Sequence, residues 1–243
     1  MKVLIDNGHG EFTPGKRSPD GEFREWLFNR EISHSIVAAL NASGITAELL
    51  VPETEDIPLK ERVSRVNAAC ALYGRQNVIL VSIHVNAAGN GSKWLNARGW
   101  NYYTSKGRTK ADELATCICN EALKNFAGHH SRTDWSDGDA DIEEDFYILK
   151  KTRCPAVLTE NFFMDNREDL AYITSGAGKR AIIRTINPQI CRLSHNAGVI
   201  AAVVEGLAAF PEGGAEFEVP GQAEDNHIAV VRCPVDMASG MDV

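Results

Sequence analysis

Two histidines and a glutamate stand where apolar runs end. His9 closes the stretch Val-Leu-Ile-Asp-Asn-Gly-His, His84 closes Val-Ile-Leu-Val-Ser-Ile-His, and Glu160 follows Ala-Val-Leu-Thr. Runs of this kind that stop at polar residues read as buried parallel strands, and in open α/β sheets ligands bind beyond the carboxyl ends of such strands. Three strand ends therefore deliver two imidazoles and a carboxylate to one edge of one sheet. That is the ligand and base inventory of a zinc hydrolase.

Each of these residues alone has an ordinary structural role. A histidine can sit in a turn or be satisfied in a core, and a glutamate at a helix start is favoured by the helix dipole. Their joint placement points to chemistry. Glu160 adds to it, because a carboxylate between an apolar strand and Asn161-Phe-Phe is expensive to bury without a partner or a task. The run Asp137-Gly-Asp-Ala-Asp141 resembles a calcium loop, but Ile142 and Ile148 stand where such a loop needs Gly and Glu. It is read as a solvated loop near the mouth of the site. Trp94, Trp100 and Trp135 lie in or near the same loops, where they either pack or stack on a ligand. His34, His129, His130, His195 and His227 are not expected to be ligands.

The surrounding pattern predicts the elements that position these groups. Ile32, Ile36, Val37 and Leu40 recur at helical spacing, giving a helix from about Glu25 to just before Gly44. A strand follows at 45–51, and then a helix carrying Leu59, Val63, Val66, Cys70 and Tyr73 leads up to Gly74 and the strand at 78–83. Next come a strand at 100–104, a helix at 110–126, an acidic stretch at 134–145, a short edge strand at 146–149 and the strand at 156–159. Helical patterns continue to Phe210, with a break expected at Pro188 and a last helix at 197–210. This alternation predicts an α/β fold, a single domain over residues 1–210 with a twisted, mostly parallel sheet covered by helices on both faces. Residues 211–243 turn to Gly, Glu and Pro and form a tail of unassigned role, too short for an independent domain.

Composition removes several classes. The 243 residues are 44% hydrophobic, and no stretch approaches the roughly 20 apolar residues that span a bilayer. With 33 acidic against 25 basic residues, a net of -8, and no basic block, nucleic acid is not an expected partner. The six cysteines include no Cys-x-x-Cys pair, and Cys70 and Cys117 fall on predicted helices, so buried or reduced thiols are expected. The amino terminus enters the first strand directly, without the pattern of a signal peptide.

Four patches carry a family resemblance: Leu-Ile-Asp-Asn-Gly-His-Gly around His9, Phe-Arg-Glu-Trp-Leu-Phe-Asn around Glu25, Ser-Ile-His-Val-Asn-Ala around His84, and the stretch from Phe146 to Asn166 around Glu160. In this order and spacing, with the Leu59-Lys-Glu-Arg-Val helix between them, the chain resembles the catalytic domain of the zinc-dependent N-acetylmuramoyl-L-alanine amidases of the Amidase_3 type. The match extends from residue 1 to about 210. It departs from the family where Asp-Pro-Gly-His-Gly-Gly is replaced by Asp-Asn-Gly-His-Gly-Glu, and where Glu-Gly-Phe is replaced by Glu160-Asn-Phe. The resemblance implies that His9, Glu25 and His84 bind Zn²⁺ and that Glu160 is the catalytic carboxylate. From the residues alone, Glu22 and Glu31 are alternatives to Glu25. Asn86, just past the second histidine, is a candidate substrate contact.

The implied activity is hydrolysis of the amide between N-acetylmuramic acid and the L-alanine of the stem peptide, with peptidoglycan as the partner of a monomer. The expected place of action is the cell wall, for a phage-type endolysin or an exported enzyme lacking its signal. A zinc peptidase acting on free or wall peptides and a non-catalytic wall-binding module remain as alternatives.

Overall fold

A computed structural model describes the backbone of residues 1–196 and the side chains of residues 1–187. The helix expected at 197–210 and the tail at 211–243 lie outside the described residues.

The apolar runs form the strands. Lys2–Asn7 (β1) is buried along its whole length, and Val78–Asn86 (β3) over its first six residues. Thr46–Leu49 (β2), Asn101–Thr104 (β4), Ile142–Glu143 (β5) and Ala156–Phe163 (β6) complete one sheet, ordered β2-β1-β3-β6-β4-β5. The first four of these are parallel, whereas β4 joins β6 antiparallel and carries β5 parallel to itself. From β1 the chain goes out to β2 and then crosses to β3 on the other side. Strand order thus reverses between β1 and β3, the place where an open α/β sheet leaves a crevice for a ligand.

Both faces of the sheet are covered, as predicted. Val3, Ile5, Val81 and Ile83 face Phe28, Ile32, Ile36 and Leu40 of helix α1 (Glu25–Ala42), together with Leu114 and Ile118 of α3 (Lys110–Asn125). The α1 residues recur every fourth position, which lays one stripe on the sheet. Each such fully buried side chain contributes about 1.5–3 kcal/mol. The alternate strand residues Leu4, Leu80 and Leu158 face Val63, Val66 and Cys70 of α2 (Leu59–Tyr73) and Ile148 and Leu149 of α4 (Tyr147–Lys151). Helix α3 is started by a capping box in which Thr109 Oγ1 accepts from Ala111 N–H and the Asp112 carboxylate accepts from Thr109 N–H. α5 (Arg167–Thr174) is capped by Asn166, and α6 (Gly176–Asn196) follows.

Four expectations need correction. Residues 146–149 belong to the short helix α4 and its cap, not to an edge strand. Phe-Tyr-Ile-Leu has strand composition, and a five-residue helix is too short to reveal its period. The strand before Glu160 continues to Phe163, so Glu160 sits within β6 rather than at its end. α6 does not break at Pro188. A proline removes one helical hydrogen bond, and here the preceding turns are held by fully buried Ile182 and Ile186.

The acidic stretch is solvated loop over residues 134–138, which are exposed, but not along its whole length. It includes β5, and Asp141 is 1% exposed, its carboxylate accepting from Thr104 Oγ1 at 2.6 Å. Because β4 runs antiparallel to β6 and β5 parallel to β4, the residues leading into β5 lie toward the same edge of the sheet as Asn101 and Glu160, two strands away from β6.

Candidate metal centre and active site

The β1 strand continues past Asn7 through Gly8, whose N–H donates to Ile83 O at 3.0 Å. Glycine is required at this position by contact. A Cβ there would stand 2.2 Å from a carbon of the His84 ring. The next residue, His9, turns the chain out of the sheet in the left-handed region, at φ 67°. Such a backbone costs a non-glycine residue about 1 kcal/mol or more. Two guanidiniums hold the turn: Arg30 and Arg62 each donate to His9 O at 3.2 Å. Arg62 is itself buried, donating to Asp6 Oδ1 at 2.7 Å, Asn7 O at 3.0 Å and Ile57 O at 2.8 Å.

Glu25 is the first residue of α1, and its side chain is 1% exposed. Its Oε1 accepts from Val85 N–H at 3.0 Å and from Asn29 Nδ2 at 3.4 Å. Asn29, one helical turn on, also donates to Gly8 O at 3.2 Å, tying α1 to the β1 turn. The same Glu25 oxygen lies 3.2 Å from His84 Nδ1 and 3.4 Å from His9 Nε2. The two imidazoles meet edge to face with ring centroids 4.8 Å apart.

These spacings suit a metal. Donors about 2.0–2.1 Å from a tetrahedral zinc stand about 3.3 Å from one another. Among the described residues His9, Glu25 and His84 form the one cluster of this kind. Two buried atoms in it, His9 Nε2 and Glu25 Oε2, lack a hydrogen-bond partner, a cost that a bound cation removes. The residues present therefore fit the group that the sequence suggests.

Electrostatics divide the roles. Burial favours the neutral acid at Glu25, but the neighbouring His84 and His9 imidazoles overcome it and hold the carboxylate well below its usual range. Burial also pulls His9 below the ordinary imidazole range, leaving a neutral ring with a lone pair to give. At His84 burial is outweighed by the hydrogen bond and charge of Glu25, and the pKa is raised.

Glu160 faces His84 across the β3–β6 ladder and Asn101 across the β6–β4 ladder. Parallel and antiparallel partners share a face of the sheet, so the carboxylate projects on the same side as the His84 ring. Its Oε2 is buried without a partner. Burial pushes its pKa up to about 7; His84 and Lys16 oppose the rise and the Glu25 charge adds to it. Two buried carboxylates thus sit in one cluster with opposite tendencies, one held ionised and one poised near neutrality. This separation marks acid/base pairs at active sites.

Asn86 ends β3, and its side chain serves its own loop: Oδ1 accepts from Ala87 N–H at 2.8 Å and Nδ2 reaches Asn101 Oδ1 at 3.5 Å. Trp100 is core, 1% exposed, while Trp135 is 60% exposed. His129 stacks on Tyr172 at 3.9 Å between ring centroids, away from the cluster. Sequence reading missed four supporting residues. Asn29 carried a signal, since it lies four positions after Glu25 on the same helix face. Arg30 and Arg62 had none, being charged residues among others on amphipathic helices. Asn161, which donates to His84 O at 3.0 Å, follows Glu160 in the stretch that departs from the family pattern.

Comparison with known proteins agrees with this geometry. The family model for N-acetylmuramoyl-L-alanine amidase, Amidase_3, matches residues 3–192. The N-acetylmuramoyl-L-alanine amidase CwlM of Bacillus licheniformis is 24% identical over 227 residues, covering 92% of this chain and 81% of that protein. The endolysin of Bacillus phage SPP1 is 28% identical over 177 residues, covering 70% and 58%. Among solved structures, the N-acetylmuramoyl-L-alanine amidase of Clostridium difficile 630 superposes with a TM-score of 0.68 at 22% identity, covering 80% of this chain and 96% of that one. AmiC2 of Nostoc punctiforme gives 0.65 at 24% identity, covering 80% and 97%. With its site geometry and a family match over most of its length, the chain belongs to the N-acetylmuramoyl-L-alanine amidase family.

Proposed function

We propose that the protein hydrolyses the amide joining N-acetylmuramic acid to the L-alanine of the peptidoglycan stem peptide, with His9, Glu25 and His84 holding Zn²⁺ and Glu160 moving the proton. The observation that carries this reading is the cluster of donors 3.2 Å and 3.4 Å apart beside a second buried carboxylate with an unpartnered oxygen. A zinc ion held there supplies Lewis acidity toward the scissile carbonyl and lowers the pKa of a water it binds.

The protein's own groups do the rest. The two imidazoles and Glu25 fix three positions and leave the side facing Glu160 for water and substrate. Glu160 Oε2 takes the proton of the attacking water and passes it to the departing L-alanine nitrogen, a task for which a pKa near 7 is well matched. Arg62, Arg30 and Asn29 keep His9 and Glu25 in place, so the ligands need not reorganise when the metal binds. Asn86 shapes the loop beside the site through Ala87 and Asn101 rather than reaching outward. The substrate places the protein's work at the cell wall. No helix among the described residues is long and apolar enough to cross a membrane.

The test is the chemistry of the released amine. Purified peptidoglycan treated with the zinc-loaded protein should yield new amino termini that are all L-alanine, while Glu160→Gln retains about one zinc and loses release by about 10²–10⁴-fold. Amino termini from within the peptide would mark a peptidase instead. Retention on walls with no release of any amine would mark a binding module.

A further inference from the structure

A second feature of the same sheet edge is a groove of about 500 Å³ bounded by the loop after β3 and by the start of α5. Trp94, Leu95 and Arg98 line one side, and Asn166, Arg167 and Glu168 the other. Its walls are fastened together. Leu95 N–H donates to Asp165 O at 2.8 Å, Asn166 Nδ2 donates to Leu95 O at 3.2 Å, and the Asp165 carboxylate accepts from Ala88 N–H at 3.2 Å and Gly89 N–H at 2.8 Å. Gly99 N–H donates to the Asp169 carboxylate at 2.7 Å and closes the far end.

The two arginines in the groove differ. Arg98 is paired with Glu168 at 3.1 Å, and both are well exposed. Among the described residues Arg167 makes no hydrogen bond or ion pair to a carboxylate. Its guanidinium lies 4.2 Å from the centroid of the Trp94 ring. Asp20 feels its charge, but that carboxylate already accepts from Ser18 Oγ at 2.5 Å and Glu22 N–H at 3.2 Å. Stacking orients a guanidinium and leaves the N–H edge open, the arrangement that receives a carboxylate through two parallel hydrogen bonds. In a chain with a net charge of -8, an arginine held this way without an acidic partner stands out as a receptor.

The groove is joined to the metal cluster by the turn after His9. Glu25 N–H donates to Lys16 O at 3.1 Å, and a Cβ on Gly91 would stand 3.2 Å from Gly15 O, so this turn touches both the metal ligand and the β3 loop. Asp20, further along the same turn, lies within the field of Arg167.

Resting on the amidase reading above, we propose that Arg167, braced on Trp94, binds a carboxylate of the stem peptide, and that the protein thereby distinguishes peptides whose carboxylate is free from those in which it is amidated. The indole and the Leu95 side chain supply the apolar contact beneath the peptide.

The experiment pairs a change in the protein with a change in the substrate. Soluble muropeptides carrying a free carboxylate or its amide are compared on wild type, Arg167→Gln, Arg167→Lys and Trp94→Ala by kcat and KM. The free stem peptides, acid and amide, are titrated calorimetrically against the same four proteins. Wild type should favour the acid by roughly 10–100-fold, the range of a charge-assisted bidentate pair, and chiefly through KM. Arg167→Gln should collapse that ratio toward one. Arg167→Lys should restore only part of it, since an ammonium lacks the planar fork, and Trp94→Ala should weaken it by releasing the guanidinium.

An unchanged ratio in Arg167→Gln, or a wild type indifferent to amidation in both assays, overturns the proposal while amide hydrolysis stands. Failure of wild type to release L-alanine amino termini overturns the amidase reading. In that case the calorimetric preference for acid over amide, present in wild type and lost in Arg167→Gln, still decides the subsite.

Discussion

The molecule buries carboxylates at two places on its sheet, beside the histidine pair and at the edge strand β5, and treats them in opposite ways. At the catalytic edge Glu25 is surrounded by Val85 N–H, Asn29 and two imidazoles, all of which favour the ionised form, and it is held well below the usual carboxylate range. Leading into the edge strand β5, Asp141 has the Thr104 hydroxyl but also a second carboxylate, Asp139, and burial with that neighbour pushes its pKa up to about 7. Both groups are almost fully buried, so depth alone does not set the charge. What differs is whether the surrounding groups gain from an anion. Donors and imidazoles keep Glu25 an anion; burial and a like charge make Asp141 an acid that keeps its proton.

The same chemical edit, acid to amide, should therefore act in opposite directions at the two places. The largest effect is expected at Glu25→Gln. The amide keeps the shape and the Val85 contact but removes the charge that faces both imidazoles. Zinc affinity should fall by more than the roughly 10–100-fold that loss of an outer-shell partner costs, and activity should fall with it. Competition titration with a chromophoric chelator reads this directly. A Glu25→Gln protein that binds zinc as wild type does would remove Glu25 from the ligand set and return Glu22 and Glu31 to consideration.

The next effect is on stability at the catalytic edge. Arg62 and Asp6 form an ion pair at 2.7 Å with side chains only 3% and 2% exposed. Arg62→Ala leaves Asp6 buried with Ser82 Oγ as its remaining partner, at 2.6 Å. Breaking a buried pair on one side costs about 3–5 kcal/mol, which urea unfolding should show as a lower midpoint at unchanged slope. Arg62→Lys should recover little, because a single ammonium cannot serve Asp6, Asn7, His9 and Ile57 together. If the alanine variant is as stable as wild type, the pair does not anchor the His9 turn.

The two places also differ in how far they could be read before the structure. His9 and His84 were legible because a strand buried on both faces reads as a nearly unbroken apolar run, and a polar group where the run stops is conspicuous. Glu160 was legible for the same reason, although its strand runs four residues further, through Glu160, Asn161 and the left-handed Phe162 to Phe163, than the 156–159 run suggests. Glu25 needed the family pattern, since a helix-start glutamate is common. Arg62 was hidden because it sits one residue from the apolar stripe of Leu59, Val63, Val66 and Cys70, and only the three-dimensional approach of Asp6 explains its burial. The stacking of Arg167 on Trp94 and the closure of Thr104 over Asp141 are likewise contacts between distant stretches. Local pattern reports elements; it carries no information on which loop meets which. The burial of Asp141 at the end of the acidic run was missed for that reason, since charge density argues for solvent unless the partner in β4 is known.

Asp141 at the edge strand supplies the smallest effect and the opposite sign. With a pKa of about 7 in the fold against 3.8 for an ordinary aspartate, Asp141 keeps a proton between pH 4 and 7 that the unfolded chain has already released. The folded state then binds more protons than the unfolded state, so stability falls as pH rises through this window and levels off above it. Asp141→Asn retains an oxygen for the Thr104 hydroxyl and has no proton to lose. At pH 8 it should be more stable than wild type by at least about 2 kcal/mol, given that one pKa unit is worth about 1.4 kcal/mol. At pH 4 the two should unfold alike. Unfolding free energies measured across that range check the sign: a wild-type protein that gains stability between pH 4 and 7 relative to the variant would show that Asp141 is ionised in the fold, and the contrast between the two places would be lost.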